Sequence, residues 1–285
     1  MAIKRIVVTG AGGMLGRDLT AHLSAKGYDV TGLDSRTFNL LSPFDALQAV
    51  IARLEPELIV HAAAFTDVDR AEREPELAMA VNRDGARTVA EIARETGCLM
   101  AYVSTDFVFD GQSDRPYTPQ DKPRPINAYG LSKYYGELAV QELIDTSYII
   151  RTSWLYGLHG RNFSQFVLES VRQGRELSLV NDWTGSPTWT GSLSHMIEQI
   201  ATSGAYGVYH AADAGAVSKY AQALGICRAA GLSTHRLKPV EARTLSFAAQ
   251  RPAYSVLDCA PLPVPSWETS LAAYLTQYWQ AQDAD

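Results

Sequence analysis

Cysteine is scarce in this chain, and what little there is stands scattered. Cys98, Cys227 and Cys259 are odd in number and far apart, which removes a disulfide framework and a zinc-type spacing. The six histidines are equally dispersed, so no metal is expected. Excess positive charge is missing too: the formal net charge is -6, which argues against broad nucleic-acid binding, and no recognised nucleic-acid motif is present. No stretch reaches the ~20 apolar residues that span a bilayer, so no membrane partner is expected. The first apolar run is too short for a secretory signal and leads straight into glycines, so the expected location is cytoplasmic. There is no internal repeat and no low-complexity linker. What remains is 285 residues, 46% hydrophobic and 20% charged, enough for one large domain or two modest ones with a real core.

The chain opens with a β-rich apolar run, Ile3–Thr9, followed by Gly10-Ala-Gly-Gly-Met-Leu-Gly16 and a helical pattern. Strand, tight turn and helix start thus follow one another. That order aims free helix N–H groups and the positive end of the helix dipole at a pyrophosphate. Gly10 permits the turn, Gly13 lets backbone approach phosphate, with Met14 and Leu15 beside it, and Gly16 lets helix pack on strand. About 20 residues on, a second strand ends in Asp34, an acid placed to hold ribose hydroxyls. The unit reads as a dinucleotide site.

Strand and helix patterns then alternate. Strands are expected at 3–9, 29–34, 58–62, 99–104, 148–152, 177–180 and 207–210. Helices are expected at 15–24, 43–54, 75–96 and 128–143, with further ones at 163–173, 193–202 and 219–230. Several strands are continuous apolar runs, as in a parallel sheet covered on both faces. The fold class is therefore α/β, a doubly wound parallel sheet of Rossmann type with a smaller, interleaved C-terminal part. Residues 1–155 form the expected dinucleotide-binding domain and 156–285 mainly the substrate-binding part, with 207–212 returning to the main sheet. The Pro- and charge-rich stretch 111–125 reads as a loop forming a flap near the site.

Ligands of a doubly wound sheet sit beyond the carboxyl ends of its strands. Ser104, Thr105 and Asp106 end the fourth strand and should reach the crevice of the glycine turn, where a hydroxyl can hydrogen-bond a substrate carbonyl. His61-Ala-Ala-Ala64 ends the third; its small side chains leave room for a flat cofactor. Tyr129 and Lys133 stand four residues apart, on one face of an expected helix. A phenol beside an ammonium can have its pKa lowered and serve as general acid or base.

These residues carry a family resemblance. The chain resembles the extended short-chain dehydrogenases/reductases and, within them, is similar to the dTDP-4-dehydrorhamnose reductases. The matching pieces span nearly the whole chain, from Thr9-Gly-Ala-Gly-Gly-Met-Leu-Gly16 through Ser104-Thr-Asp-Phe-Val-Phe109, Tyr129-Gly-Leu-Ser-Lys133, Arg151-Thr-Ser-Trp154 and Gly185-Ser-Pro-Thr188 to Arg251-Pro-Ala-Tyr254. The glycine and Tyr-Lys motifs mark only the superfamily; the other blocks are more specific. The resemblance implies that Tyr129 protonates the reduced carbonyl, that Lys133 holds the nicotinamide ribose and lowers the tyrosine pKa, and that Thr105 polarises a C4 keto group. Asp106, Val68 and Trp154 would contact the sugar and Arg251 the nucleotide phosphates. Asn82 would brace the site, and Ala63, Ala64 and Thr66 would line the cofactor.

The reaction implied is NAD(P)H-dependent reduction of a nucleotide-linked 4-keto-6-deoxy sugar, in first place dTDP-4-dehydro-L-rhamnose. Cofactor choice stays open. Asp34 favours NADH, whereas Arg36 could attract the 2′-phosphate of NADPH. At Asn39-Leu40, where the family commonly has an acid at the adenine end, this chain has Asn. Dehydratases of the superfamily follow the strand-four Thr-Asp with Glu; here the position is Phe107, which argues against dehydration. A reductase for another 4-keto-6-deoxy sugar and a non-catalytic NAD(P)-binding regulatory subunit remain the alternatives. A homodimer is compatible with the resemblance, with no interface legible in the sequence.

Overall fold

The computed structural model describes residues 3–283. The first half alternates strand and helix: β1 (Arg5–Thr9), α1 (Met14–Ala25), β2 (Asp29–Leu33), α2 (Phe44–Leu54), β3 (Leu58–His61), α3 (Val68–Arg73), α4 (Pro75–Met79), α5 (Gly85–Thr96), β4 (Leu99–Thr105), α6 (Ala128–Leu143) and β5 (Ser147–Thr152). The second half is more broken: β6 (Leu155–Tyr156), α7 (Phe163–Arg172), β7 (Leu177–Val180), β8 (Thr184–Gly185), β9 (Thr188–Trp189), α8 (Thr190–Ala201), β10 (Gly207–His210), β11 (Val217–Ser218), α9 (Lys219–Ala229), β12 (Leu237–Val240) and α10 (Trp267–Asp283). Among the described residues no helix is long and apolar enough to cross a membrane.

Six strands form one parallel sheet in the order β10-β5-β4-β3-β1-β2. Each residue of β3 and β5 is buried, which explains the apolar runs Leu58–Val60 and Tyr148–Ile150 within them. One face packs Val8, Val60 and Ile150 against Leu19 of α1 and Ile197 of α8; the other packs Val7, Ile59 and Ile149 against Ile51 of α2, Val89 of α5 and Val140 of α6. The strand order reverses between β1 and β3, and a crevice opens there at the carboxyl ends. The strand at 207–210 joins this sheet in parallel beside β5. A separate core gathers Leu168 of α7, Ile226 of α9, Tyr274 of α10 and Leu177 and Leu237 of the β7–β12 pair.

Two expectations are corrected. The helix expected over 75–96 is interrupted by a π-helical turn, Ala80–Asp84. Buried Asn82 lies in that turn: its Nδ2 donates to the Phe65 carbonyl at 3.0 Å and to Ser132 Oγ at 2.9 Å, while Oδ1 accepts from Phe65 N–H at 2.8 Å. The stretch 111–125 is no flap over the site. It is pinned through Tyr117, which stacks on Phe109 at 4.1 Å between ring centres and donates its backbone N–H to the Val256 carbonyl at 2.8 Å. None of its residues lines the cavity described below. Pro and charge there serve packing and an Arg115–Asp121 ion pair of 2.8 Å.

Candidate active site

A cavity of about 970 Å³ runs along the carboxyl ends of β1, β3 and β4 and is walled in part by Trp183, Lys219 and Arg251 of the second half. At one end lies the glycine turn. Gly10 has φ +74°, and a Cβ there would stand 2.6 Å from the Ala63 nitrogen across the switch point. A Cβ on Gly16 would overlap the Gly10 carbonyl oxygen. These two glycines let β1, β3 and α1 close on one another. Gly13 is the N-cap of α1, with no side-chain cap and no acid in the first turn. The helix therefore keeps its first N–H groups and its positive dipole end for an anion. This is the local geometry a dinucleotide pyrophosphate requires, and the residues present fit such a group.

The cofactor positions expected from sequence all line this cavity: Gly10, Gly13, Met14 and Leu15 in the turn, Asp34, Arg36, Asn39 and Leu40 after β2, and Ala63, Ala64 and Thr66 after β3. Asp34 is already engaged. Its Oδ1 accepts from Arg36 N–H at 2.9 Å and Thr37 N–H at 3.1 Å, and the Thr37 and Arg36 bonds hold its carboxyl below the usual range. Asn39 caps its own turn, accepting from Leu41 N–H at 3.1 Å. Arg36 is exposed at the rim.

Thr105, Tyr129 and Lys133 meet in the middle of the cavity. Thr105 ends β4 and Tyr129 rides the first turn of α6. Asn127 caps that helix through Gly130 N–H at 2.8 Å and ties it to the Gln250 carbonyl at 2.7 Å. Gly130 has no room for a Cβ against the Phe107 carbonyl, so α6 begins hard against the end of β4. Lys133 is buried; its Nζ donates to the Val103 carbonyl at 2.7 Å and lies 4.0 Å from the Tyr102 ring centre.

The electrostatics differ from expectation at the tyrosine. Burial pushes the Tyr129 phenol up to about 12, with the Asp106 carboxylate adding to the rise and the Thr105 hydroxyl opposing it. Burial likewise brings Lys133 down to about 7 against the pull of Glu137. Lys133 is not among the groups that move the phenol, and one of its three donors is engaged by the Val103 carbonyl. Behind the lysine, Glu137 forms a buried ion pair with Arg151, at 2.9 and 2.7 Å, and accepts from Ser104 Oγ at 2.5 Å.

The far end contains Val68, Asp106, Trp154 and Arg251. Asp106 is buried; Oδ1 accepts from Thr105 Oγ1 at 3.1 Å and Oδ2 has no partner among the described residues. Burial raises this carboxyl to about 6, with Ser255 and Thr105 working against the rise. Trp154 adopts φ +45°, a left-handed conformation that a bulky residue rarely takes, and projects its indole over Gly185, where any Cβ would overlap the ring. The β6–β9 pairing holds the two segments together, and Ser153 Oγ donates to the Ser186 carbonyl at 2.6 Å. The Arg151–Trp154 and Gly185–Thr188 blocks are thus one packing unit.

Arg251 is corrected in part. It lines the cavity, but its guanidinium is bidentate to Asp69 at 2.7 and 2.6 Å, and Asp69 also accepts from Ala248 and Ala249 N–H. That charge pins the 248–251 segment to α3 beside Val68. Asn82 lies outside the cavity wall, bracing Phe65 and Ser132. Among the described residues no group of His, Cys, Asp or Glu is placed to hold a metal ion. Lys219 and Trp183 are among the wall residues that sequence reasoning missed. A lone lysine and a lone tryptophan in the irregular half of the chain gave no periodic or motif signal to find them.

Comparison with known proteins follows the same lines. Residues 4–280 match the family described as the RmlD substrate binding domain. The chain is 36% identical over 288 residues to a dTDP-4-keto-6-deoxy-D-glucose reductase of Streptomyces niveus, covering 99% of this chain and 98% of that one. It is 39% identical over 260 residues to a dTDP-4-dehydrorhamnose reductase of Streptomyces griseus, covering 89% and 85%. Among solved structures it is similar to a dTDP-4-dehydrorhamnose reductase of Bacillus anthracis in complex with NADP, with TM-score 0.93, 36% identity and 96% and 99% coverage. The chain belongs to the RmlD substrate binding domain family.

Proposed function

We propose that this member of the family is an NAD(P)H-dependent oxidoreductase that reduces the C4 keto group of a dTDP-linked 4-keto-6-deoxy sugar, with dTDP-4-dehydro-L-rhamnose as substrate and dTDP-L-rhamnose as product. The observation that carries the reading is the single cavity joining an uncapped helix N-terminus at one end to Thr105, Tyr129 and Lys133 in the middle. The names of the relatives from Streptomyces support the substrate class, and the NADP-bound Bacillus structure supports the cofactor.

Gly10, Gly13, Met14 and Leu15 bind the pyrophosphate end of the cofactor, and Asp34, Arg36, Asn39 and Leu40 surround its adenosine. Ala63, Ala64 and Thr66 flank the path to the reacting end. When bound, the reduced nicotinamide supplies the two electrons and one hydrogen that the carbonyl carbon gains. Lys133 holds the nicotinamide ribose. Thr105 donates a hydrogen bond to the keto oxygen and stabilises the negative charge that grows there. Tyr129 then gives that oxygen its proton. A phenol pushed up to about 12 is protonated at neutral pH, which is the form a general acid needs. Phe107 packs edge-on to Tyr129 with ring centres 5.8 Å apart, where an acid–base carboxylate for dehydration would be required.

Asp106, Val68 and Trp154 bind the sugar. Arg251 reaches the nucleotide phosphates only by sharing itself with Asp69. Residues 1–155 are the dinucleotide-binding domain and 156–285 mainly the substrate-binding part. The assembly we infer is a homodimer, on family likeness; a monomer in light scattering would remove it.

Purified protein with NADPH or NADH and enzymatically generated dTDP-4-dehydro-L-rhamnose tests the reading. Oxidation of the cofactor with dTDP-L-rhamnose as product is expected. Cofactor binding without oxidation would contradict it. The full-length match to a 4-keto-6-deoxy-D-glucose reductase makes that sugar the second substrate to assay.

A further inference from the structure

Lys219 is an improbable residue for its place. It is the first residue of α9, after the N-cap Ser218, where a cation opposes the positive end of the helix dipole. Its ammonium lies 3.5 Å from the centre of the Trp154 ring and 4.7 Å from that of Phe163. Its ammonium donates to Gln222 Oε1 at 3.2 Å, and Gln222 is buried. It forms no ion pair with a carboxylate within 4.0 Å among the described residues. Burial brings the amine down to about 7, with Asp106 pulling the other way. The side chain is half-buried and faces the cavity, so its remaining donors are open to a ligand there.

The far wall supplies the complement. Asp106 carries a buried oxygen with no hydrogen-bond partner within 3.5 Å among the described residues, Ser255 acting on the carboxyl from nearby, and both Asp106 and Lys219 line the cavity together with Trp154. Lysine offers donors alone and an ionised carboxylate acceptors alone. A ring bearing hydroxyl groups satisfies both, since each hydroxyl donates and accepts. A diphosphate does not, because the Asp106 carboxylate would repel it. Asp106 also follows Thr105 directly, which places its carboxyl beside the reacting residues.

We propose that Lys219 is a specificity-determining residue of the sugar subsite, donating hydrogen bonds to an oxygen substituent of the hexosyl ring while Asp106 accepts from a neighbouring hydroxyl. The inference rests on the reductase reading and deepens it. Trp154 holds the ammonium by cation–π attraction and Gln222 orients it.

Lys219→Met keeps the length of the side chain and removes its donors. With dTDP-4-dehydro-L-rhamnose and NADPH, kcat/KM is expected to fall by roughly 10–100-fold, the loss of one charge-assisted hydrogen bond. The inhibition constant of dTDP, which lacks the hexosyl unit, and the Kd of NADPH should stay within about twofold, since neither touches the ammonium. An unchanged kcat/KM would overturn the proposal. So would an equal loss of dTDP affinity, which would move the contact to the diphosphate, or a loss of NADPH binding, which would make Lys219 a folding residue. Wild-type protein that binds dTDP and NADPH but turns nothing over would instead defeat the reductase reading, so the two failures are distinct.

Discussion

Single residues in this site owe their chemistry to burial more than to neighbouring charge. His61 shows the principle most simply. It is buried, Nδ1 pairs with Thr9 Oγ1 at 2.7 Å, and Nε2 has no partner among the described residues. Burial, with the Lys133 charge adding to it, brings its pKa down to about 3. The unfolded chain takes up a proton near its usual ~6.5 while the folded one resists. The sign follows: the folded state binds fewer protons, so this group costs stability progressively as pH falls from about 6.5 towards 3. His61→Asn removes the titration. Denaturant melts of the two proteins should show the wild-type advantage at pH 7 shrinking by up to about 1.4 kcal/mol per pH unit below pH 6.5. A gap independent of pH would mean that His61 is not held neutral. Arg36 is a residue-scale question of the opposite kind, an exposed charge at the adenosine end. With Asp34 spent on its own turn, Arg36→Ala is expected to raise the KM for NADPH by about tenfold, one charged hydrogen bond, and leave that for NADH alone. Equal effects on both cofactors would remove the arginine from 2′-phosphate recognition.

Elements set the aim of these residues. Tyr129 points into the cavity because α6 starts where Asn127 makes it start. The cap bonds Gly130 N–H and, from its other side, the Gln250 carbonyl, so one side chain fixes both a helix and the loop that carries Arg251. Asn127→Ala is expected to cost about 1–2 kcal/mol, seen as a drop of roughly 2–8 °C in Tm, with a larger fall in kcat than in NADPH affinity. A melt unchanged from wild type would show that the cap carries no stability. The π-helical turn at Ala80–Asp84 is the second such device. It turns Asn82 inward to satisfy both backbone groups of Phe65, just after the strand-three alanines that line the cofactor path.

At the scale of the whole molecule, a sheet with a reversed strand order and residues of the second half, Trp183, Lys219 and Arg251, close on one cavity. A ligand filling it should therefore stabilise the whole fold. NADPH at 100 times its Kd adds about 2.7 kcal/mol, which is a Tm rise of roughly 5–10 °C; no rise would contradict the placement of the cofactor. Much of this was legible in the chain. Buried strands such as Leu58–His61 announce themselves by continuous apolar residues, and the glycine turn by spacing that only tight backbone packing requires. The π turn was not legible, because the partners that hold Asn82, Phe65 and Ser132, are distant in the chain, and weak helix formers such as Asn82, Asp84 and Gly85 do not by themselves specify a π turn. The long helix α10 was not among the expected elements, although Leu271, Tyr274 and Tyr278 stand at helical spacing on one face and pack against the second core. The pinning of 111–125 depended on Tyr117 meeting Val256, a contact no local pattern encodes. Lys219 was invisible for the same reason: its meaning comes from Trp154 and Asp106, 65 and 113 positions away. The central claim is that Tyr129 is the proton donor of a carbonyl reduction in this cavity. The most direct measurement is kcat of Tyr129→Phe with dTDP-4-dehydro-L-rhamnose, alongside the Kd of NADPH. A loss of at least about 100-fold in kcat with cofactor affinity retained is expected; turnover within threefold of wild type would contradict the account.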